Sequence, residues 1–280
     1  MRLATAALAL GLMLAPTGAK AATVDGANVH WTSQGSGPQT VILVHGWTCD
    51  ESSWQGQVPV LAKAFRVITL DLPGHGKSGM PKAFTMEMFS RAIEAVRAEA
   101  KVEKAVLAGH SMGTPVIRKY ALMYPDRVAG LVLVDGLVQL GSPGGGSPAG
   151  PALPSVNGAA RAGIVRSMFG PLTTPALQEH ILKMMLAPSD AAAAGAFAAT
   201  WDPSQWSDQK LTIPVLAVYA GTRAVATEAA VKALYPNAEY LTITETAHFL
   251  MMEKPAEFNR MISAFVDRVG SSAAGKIAPK

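Results

Sequence analysis

The stretch Ala105-Val106-Leu107-Ala108-Gly109-His110-Ser111-Met112-Gly113-Thr114 decides the fold. Its opening residues are apolar and too few for a helix, so they suit a buried strand. Thr114–Met123 then reads as a helix. A Gly-x-Ser-x-Gly pattern acquires its meaning in this setting, where a strand turns sharply into a helix. The two glycines clear space for neighbouring backbone while the serine takes a strained conformation. The amino end of the helix faces any negative charge developing there. Ser111 is therefore the candidate nucleophile.

Working outward, further short apolar runs read as buried parallel strands: Val41–Val44, Val67–Asp71, Leu131–Asp135 and Val215–Tyr219. Helical patterns alternate with them. The clearest places Phe89, Ile93, Val96 and Ala100 on one face, with Arg91, Glu94, Arg97 and Glu99 elsewhere on the turn. The order predicts an α/β fold with a mostly parallel sheet, helices on both faces and ligands at the carboxyl ends of the strands. The alternation breaks over residues 137–210. A Pro/Gly/Ser segment, Gly141–Gly158, leads there into helical stretches at Ile164–Phe169 and Leu177–Leu186, with Thr174 and Pro175 as a helix start. This is read as a helical cap on a core made of residues 22–136 and 211–280. Met184, Met185, Trp201 and Trp206 are candidates to line an apolar pocket beneath it, or to pack the cap's own core.

His45-Gly46-Trp47 follows the strand Val41–Val44, where a fold of this kind supplies an oxyanion donor. The expected donors are the backbone amides of Trp47 and Met112. The general base must come late in the chain, and among the six histidines only His248, after the apolar stretch Tyr240–Ile243, stands at a strand end near the terminus. His45, His75 and His110 lie in turns, and His30 and His180 read as ordinary strand and cap residues.

These segments, HGWTCDESSW, ITLDLPGHGKSG, AGHSMG and ETAHFLMMEKP, resemble the α/β-hydrolase family. The resemblance covers most of residues 40–134 and 213–265. It implies an eight-stranded, mostly parallel sheet, a helical cap inserted after the sixth strand, and ester or related acyl chemistry without a cofactor. One position departs from the pattern. The family usually carries its catalytic acid in a Gly-x-x-Asp turn after the seventh strand, and here that turn is Gly221-Thr222-Arg223-Ala224. A carboxylate that fixes the histidine tautomer still benefits the chemistry. Asp135, at the end of the sixth strand, is the preferred substitute. Glu228 and Glu245 are alternatives, and a bare Ser–His dyad is another.

Composition bounds the rest. Hydrophobic residues make up 49% of 280 and charged ones 16%, against roughly 25% charged in an average globular chain, so a folded protein with a sizeable core is expected. Residues 1–21 read as a secretory signal peptide: Arg2, an apolar run from Leu3 to Ala15, then Ala19-Lys20-Ala21, with cleavage after Ala21. The run is too short to span a bilayer, so no stable membrane anchor is expected, and the chain reads as exported, to the periplasm or beyond. Loss of Arg2 and Lys20 lowers the formal charge of +4 by two, and no basic, aromatic-interleaved cluster suggests nucleic acid. The single cysteine, Cys49, has no partner for an intramolecular disulfide. Gly74-His75-Gly76-Lys77-Ser78 ends like a phosphate-binding loop, but Asp71 stands where that motif needs glycine, so it reads as a structural loop near the pocket floor. No metal-ligand spacing is apparent. The expectation is a serine hydrolase acting on a small ester-like molecule. Carbon–carbon bond hydrolysis or perhydrolysis by the same residues, and ligand binding without turnover, are the alternatives.

Overall fold

The computed structural model describes residues 20–140 and 156–274. In chain order its strands are β1 Lys20–Val24, β2 Ala27–Gln34, β3 Thr40–Val44, β4 Arg66–Leu70, β5 Ala105–His110, β6 Val128–Val134, β7 Val215–Ala220 and β8 Ala238–Ile243. The helices are α1 Val58–Leu61, α2 Met86–Glu99, α3 Gly113–Met123, α4 Gly158–Ser167, α5 Pro175–Leu186, α6 Asp190–Trp201, α7 Glu228–Leu234, α8 Leu250–Glu253 and α9 Pro255–Ala274. The strands form one eight-stranded sheet in the order β1-β2-β4-β3-β5-β6-β7-β8. β1 and β2 run antiparallel to their neighbours and every other pairing is parallel.

Burial explains which strands sit where. All six residues of β5 and of β7 are buried, as expected for strands covered on both faces. β8, at an edge, exposes Glu239 and Thr242. After β3 the chain passes to β4 on one side, and β5 lies on the other. The loops leaving the carboxyl ends of β3 and β5 therefore diverge, and a crevice opens between them. His45 follows the first of these strands and Ser111 the second.

α2 starts where Thr85 caps it, its hydroxyl accepting the Met88 amide at 2.9 Å. The anticipated apolar face, Phe89, Ile93, Val96 and Ala100, is buried. Arg97 departs from expectation: it is buried too, with its guanidinium held by Glu94 and by the carbonyl of Val102. A long side chain can cover apolar surface once its charge is partnered.

Helices α4, α5 and α6 lie between β6 and β7. Most of the anticipated linker, residues 141–155, falls outside the described residues, and Gly158 opens α4. α5 begins as its sequence suggests, with the Thr174 hydroxyl accepting the Leu177 amide and Pro175 in the first turn. α6 is not evident in the sequence because seven of its twelve residues, DAAAAGAFAATW, are alanine and no polar face marks a helical period. Its signal was Ser189, which caps the Ala192 amide at 3.1 Å, followed by strong helix formers. The core holds α6 through the Trp47 indole, which donates to the Ala193 carbonyl at 2.8 Å.

Three imidazoles are buried below the strand ends: His45, His75 and His110. Burial, and then the nearby His45, push His75 down to about 3. Burial and the neighbouring His248 hold His110 well below the usual histidine range. Both stay neutral in the folded chain at pH 7, whereas an unfolded histidine titrates near 6.5.

Two stability outcomes follow from this packing. A Cβ on Gly109 would stand 2.4 Å from the Gly113 carbonyl oxygen, whereas one on Gly163, exposed in α4, meets open space. Gly109→Ala is expected to cost about 1–3 kcal/mol and Gly163→Ala to gain about 0.5–1 kcal/mol in urea unfolding. The depressed histidines set a sign as well. Below about pH 6.5 the unfolded chain takes up protons that folded His75 refuses until about pH 3, so stability falls across that window. His75→Gln should flatten the slope of unfolding free energy between pH 6 and 4 by up to about 1.4 kcal/mol per pH unit. An unchanged slope would show that His75 titrates normally.

Candidate active site

Ser111 sits where β5 ends and α3 begins, with φ of +53°, left-handed for a residue that carries a side chain. That conformation costs about 1–2 kcal/mol and persists because the surroundings over-determine it. The Ser111 amide donates to the Val134 carbonyl at 2.9 Å, and its own carbonyl accepts from the Thr114 amide. Gly113 lies so close to β3 that a Cβ would stand 2.5 Å from the Val44 carbonyl oxygen, which leaves room for no other residue at that turn.

The turn delivers the Ser111 hydroxyl to His248, Oγ to Nε2, at 2.9 Å. On the far side of the ring, Nδ1 lies 2.8 Å from Oδ2 of Asp135. The second oxygen, Oδ1, accepts the Ala220 amide at 3.1 Å, and the side chain is fully buried. An ionised carboxylate only accepts, so Nδ1 carries the proton and the lone pair of Nε2 faces the serine. Asp135 reaches this place through a second left-handed residue, φ +40°, immediately after β6. The two glutamates considered as alternatives are exposed and partnered elsewhere, Glu228 with Lys232 and Glu245 with Lys254. The loop bearing His248 is tied back to the serine turn, because His110 donates Nε2–H to the His248 carbonyl at 2.8 Å.

The amides named for an oxyanion lie beside the serine. Met112 caps α3, and Gly46 approaches so near that a Cβ there would stand 3.0 Å from Cβ of Ser111. Among the described residues neither the Trp47 nor the Met112 amide donates to another protein group. His45 sets the direction of the first. The Leu72 amide donates to its Nε2 at 2.9 Å, so Nδ1 holds the proton and donates to the Gly46 carbonyl at 2.8 Å. That carbonyl and the Trp47 N–H belong to one planar peptide and point oppositely, so fixing one aims the other. Burial keeps this imidazole below the usual histidine range, which preserves the tautomer.

A cavity of about 210 Å³ opens at Ser111, walled by Trp47, Leu137, Met168, Phe197 and Trp201. Of the four cap residues picked from sequence, Trp201 alone lines it. Met184 and Met185 are buried elsewhere, and the Trp206 indole donates to the Thr200 carbonyl. Met168 and Phe197 escaped sequence reading because nothing in a helical stretch tells a pocket wall from a packing face.

The discounted motifs have other occupations. Both oxygens of Asp71 accept backbone amides, from Glu51 and Lys77, and the Lys77 ammonium pairs with Glu51 at 2.9 Å. His30, Glu51 and Asp71 bring one ligand atom each within 4.8 Å of one another, a grouping that linear spacing does not reveal. The Lys77 ammonium already supplies positive charge to it. Cys49 is buried, and burial pushes its thiol up to about 12, far from a reactive thiolate.

The described residues contain no helix long and apolar enough to cross a membrane. Residues 39–161 match the family model for the alpha/beta hydrolase fold. The chain is 31% identical over 254 residues to the dihydrolipoyllysine-residue acetyltransferase component of the acetoin cleaving system of Pseudomonas putida, a match covering 88% of this chain and 68% of that protein. It is 37% identical to the pimeloyl-[acyl-carrier protein] methyl ester esterase of Edwardsiella ictaluri over 37% of this chain and 39% of that one. Among the first curated relatives the match thus spans as little as 30% and as much as 68% of the relative's length. A thermophilic esterase from Thermogutta terrifontis superposes with a TM-score of 0.75 at 24% identity, over 90% of this chain and 99% of its own, a likeness of fold. The serine turn, the sheet order and these matches agree: the chain belongs to the α/β-hydrolase fold family.

Proposed function

We propose that this chain is an exported serine hydrolase that cleaves a carboxylic ester or related acyl bond through an acyl-enzyme. The observation that carries the reading is the unbroken line from Ser111 Oγ through His248 to buried Asp135, beside an apolar cavity. Ser111 attacks the carbonyl carbon as His248 Nε2 takes its proton. Asp135 stabilises the imidazolium that forms. The amides of Trp47 and Met112 receive the oxyanion, and in known cases each such donor is worth about 10²–10³ in rate. His248 returns the proton to the leaving oxygen. A water deprotonated by the same ring then releases the acid and restores Ser111.

Helices α4 to α6 act as a cap that excludes water from the acyl side, since Phe197 and Trp201 of α6 wall the cavity. The substrate class is a small ester-like molecule. No observation favours carbon–carbon cleavage, perhydrolysis or binding without turnover, and a base and acid in register speak for turnover. Export is supported by residues 1–21, of which 1–19 lie outside the described residues. Lys20 and Ala21 stand in β1, so cleavage after Ala21 shortens that edge strand and leaves Ala22–Val24 paired with Ala27–Val29. Amino-terminal sequencing of the exported protein should begin at Ala22, and a chain retaining Met1 would refute the leader.

A series of p-nitrophenyl esters of increasing acyl length tests the chemistry. Turnover is expected for the unmodified chain and background only for Ser111→Ala. Asp135→Asn should lower kcat by several orders of magnitude, as about 10⁴ is lost in the serine-protease counterpart, while Glu228→Gln and Glu245→Gln stay within about twofold. Near-normal turnover of Asp135→Asn would dismiss it as the acid.

A further inference from the structure

We infer that the loop after β7 forms an anion-recognition subsite, with Arg223 selecting substrates whose leaving group carries a carboxylate. This deepens the ester-hydrolase reading and rests on it.

A second cavity, of about 390 Å³, adjoins the one at Ser111. The two share Met168, Val225 and His248 as walls, so both border the base. The chemistry assigns their contents. His248 must hand a proton to the leaving oxygen, so the leaving group extends from the imidazole. The cavity at Ser111 has aromatic and aliphatic walls, suited to an acyl chain. The other is also largely apolar, walled by Phe169, Pro171 and Ala247, but it adds Thr222 and Arg223, and Arg223 is the one lining residue with a permanent charge.

The guanidinium is available. It donates one long hydrogen bond, 3.4 Å, to the Ser167 carbonyl and makes no ion pair among the described residues. Its loop is also held in register with His248. The Gly221 amide donates to the Ile243 carbonyl, and the Thr222 hydroxyl to the Thr246 carbonyl at 2.6 Å. The relocated acid completes the case. With Ala224 beside it and the carboxylate partner of His248 supplied by Asp135 after β6, residues 221–225 contain no acid to neutralise Arg223. Glu253 is not among the lining residues, and its two oxygens serve the Ala247 amide and the Thr173 hydroxyl. A planar fork of donors free to pair bidentately suits a carboxylate. Because Arg223 is exposed, solvent and salt moderate the effect.

The test pairs 4-acetoxybenzoate, whose leaving group is anionic, with neutral 4-acetoxybenzamide. The expected result is that Arg223→Gln lowers the benzoate-to-benzamide ratio of kcat/KM about two- to fivefold, mostly through KM, and that 0.5 M salt narrows the ratio only in the parent chain. A ratio unmoved by Arg223→Gln, with both esters still hydrolysed, would overturn the subsite and leave the hydrolase standing. Absence of turnover on either ester would sink the hydrolase instead. Calorimetry with 4-hydroxybenzoate and 4-hydroxybenzamide then decides the subsite alone: selective weakening of the benzoate by Arg223→Gln supports it, and equal binding of the two refutes it.

Discussion

The arrangement depends on one strained turn. A strand buried on both faces must end, reverse and enter a helix within a few residues, and Ser111 takes a left-handed conformation to achieve it. The strain is held from both sides by Gly109 and Gly113, whose missing side chains let β3 and the start of α3 close on the turn. Held in this way, the hydroxyl cannot relax into a helix or strand. It projects over the carboxyl edge of the sheet, where a parallel topology gathers the ends of β3, β6 and β8.

The proposed charge handling is distributed over those neighbouring ends. β3 supplies the His45–Trp47 peptide, aimed by an imidazole whose tautomer is dictated by the Leu72 amide. β6 supplies Asp135, again by a left-handed residue, and β7 gives back an amide to its second oxygen. Asp135 at the β6 end reaches His248, Oδ2 to Nδ1, much as a residue in the β7 loop would, because the two strands are adjacent and in register. The β7 loop itself, residues 221–225, holds a guanidinium and no carboxylate. Of the helices between β6 and β7, α6 walls the apolar cavity, and the Trp47 indole ties it to the peptide proposed to receive the oxyanion.

Much of this was legible in the sequence, and the illegible parts have physical reasons. The parallel strands announced themselves as short runs of Val, Leu, Ile and Ala, because strands buried on both faces have no alternation to confuse. The antiparallel β1 did not, and β2 showed only as a strand around His30, since their mixed polar and apolar residues carry little contrast. Ser111 and His248 were legible from the motif and chain order. Asp135 was a preferred candidate from its place at the end of the sixth strand, with Glu228 and Glu245 left open, because its carboxylate is oriented by amides and strands far away in sequence. The alanine helix α6 and the pocket walls Met168 and Phe197 depend on how the insertion docks, which local pattern does not encode. Arg97 shows the same limit from the other side: a charged residue on a polar-looking turn is buried because Glu94 and a carbonyl receive it.

The most direct measurement is a crystal structure of the chain after reaction with a fluorophosphonate ester. Phosphorus is expected to be bonded to Oγ of Ser111, with the phosphoryl oxygen within hydrogen-bonding distance of the Trp47 and Met112 amides and His248 still seated on Asp135. Phosphorus bonded to another residue, or a phosphoryl oxygen turned away from both amides, would contradict the proposed mechanism.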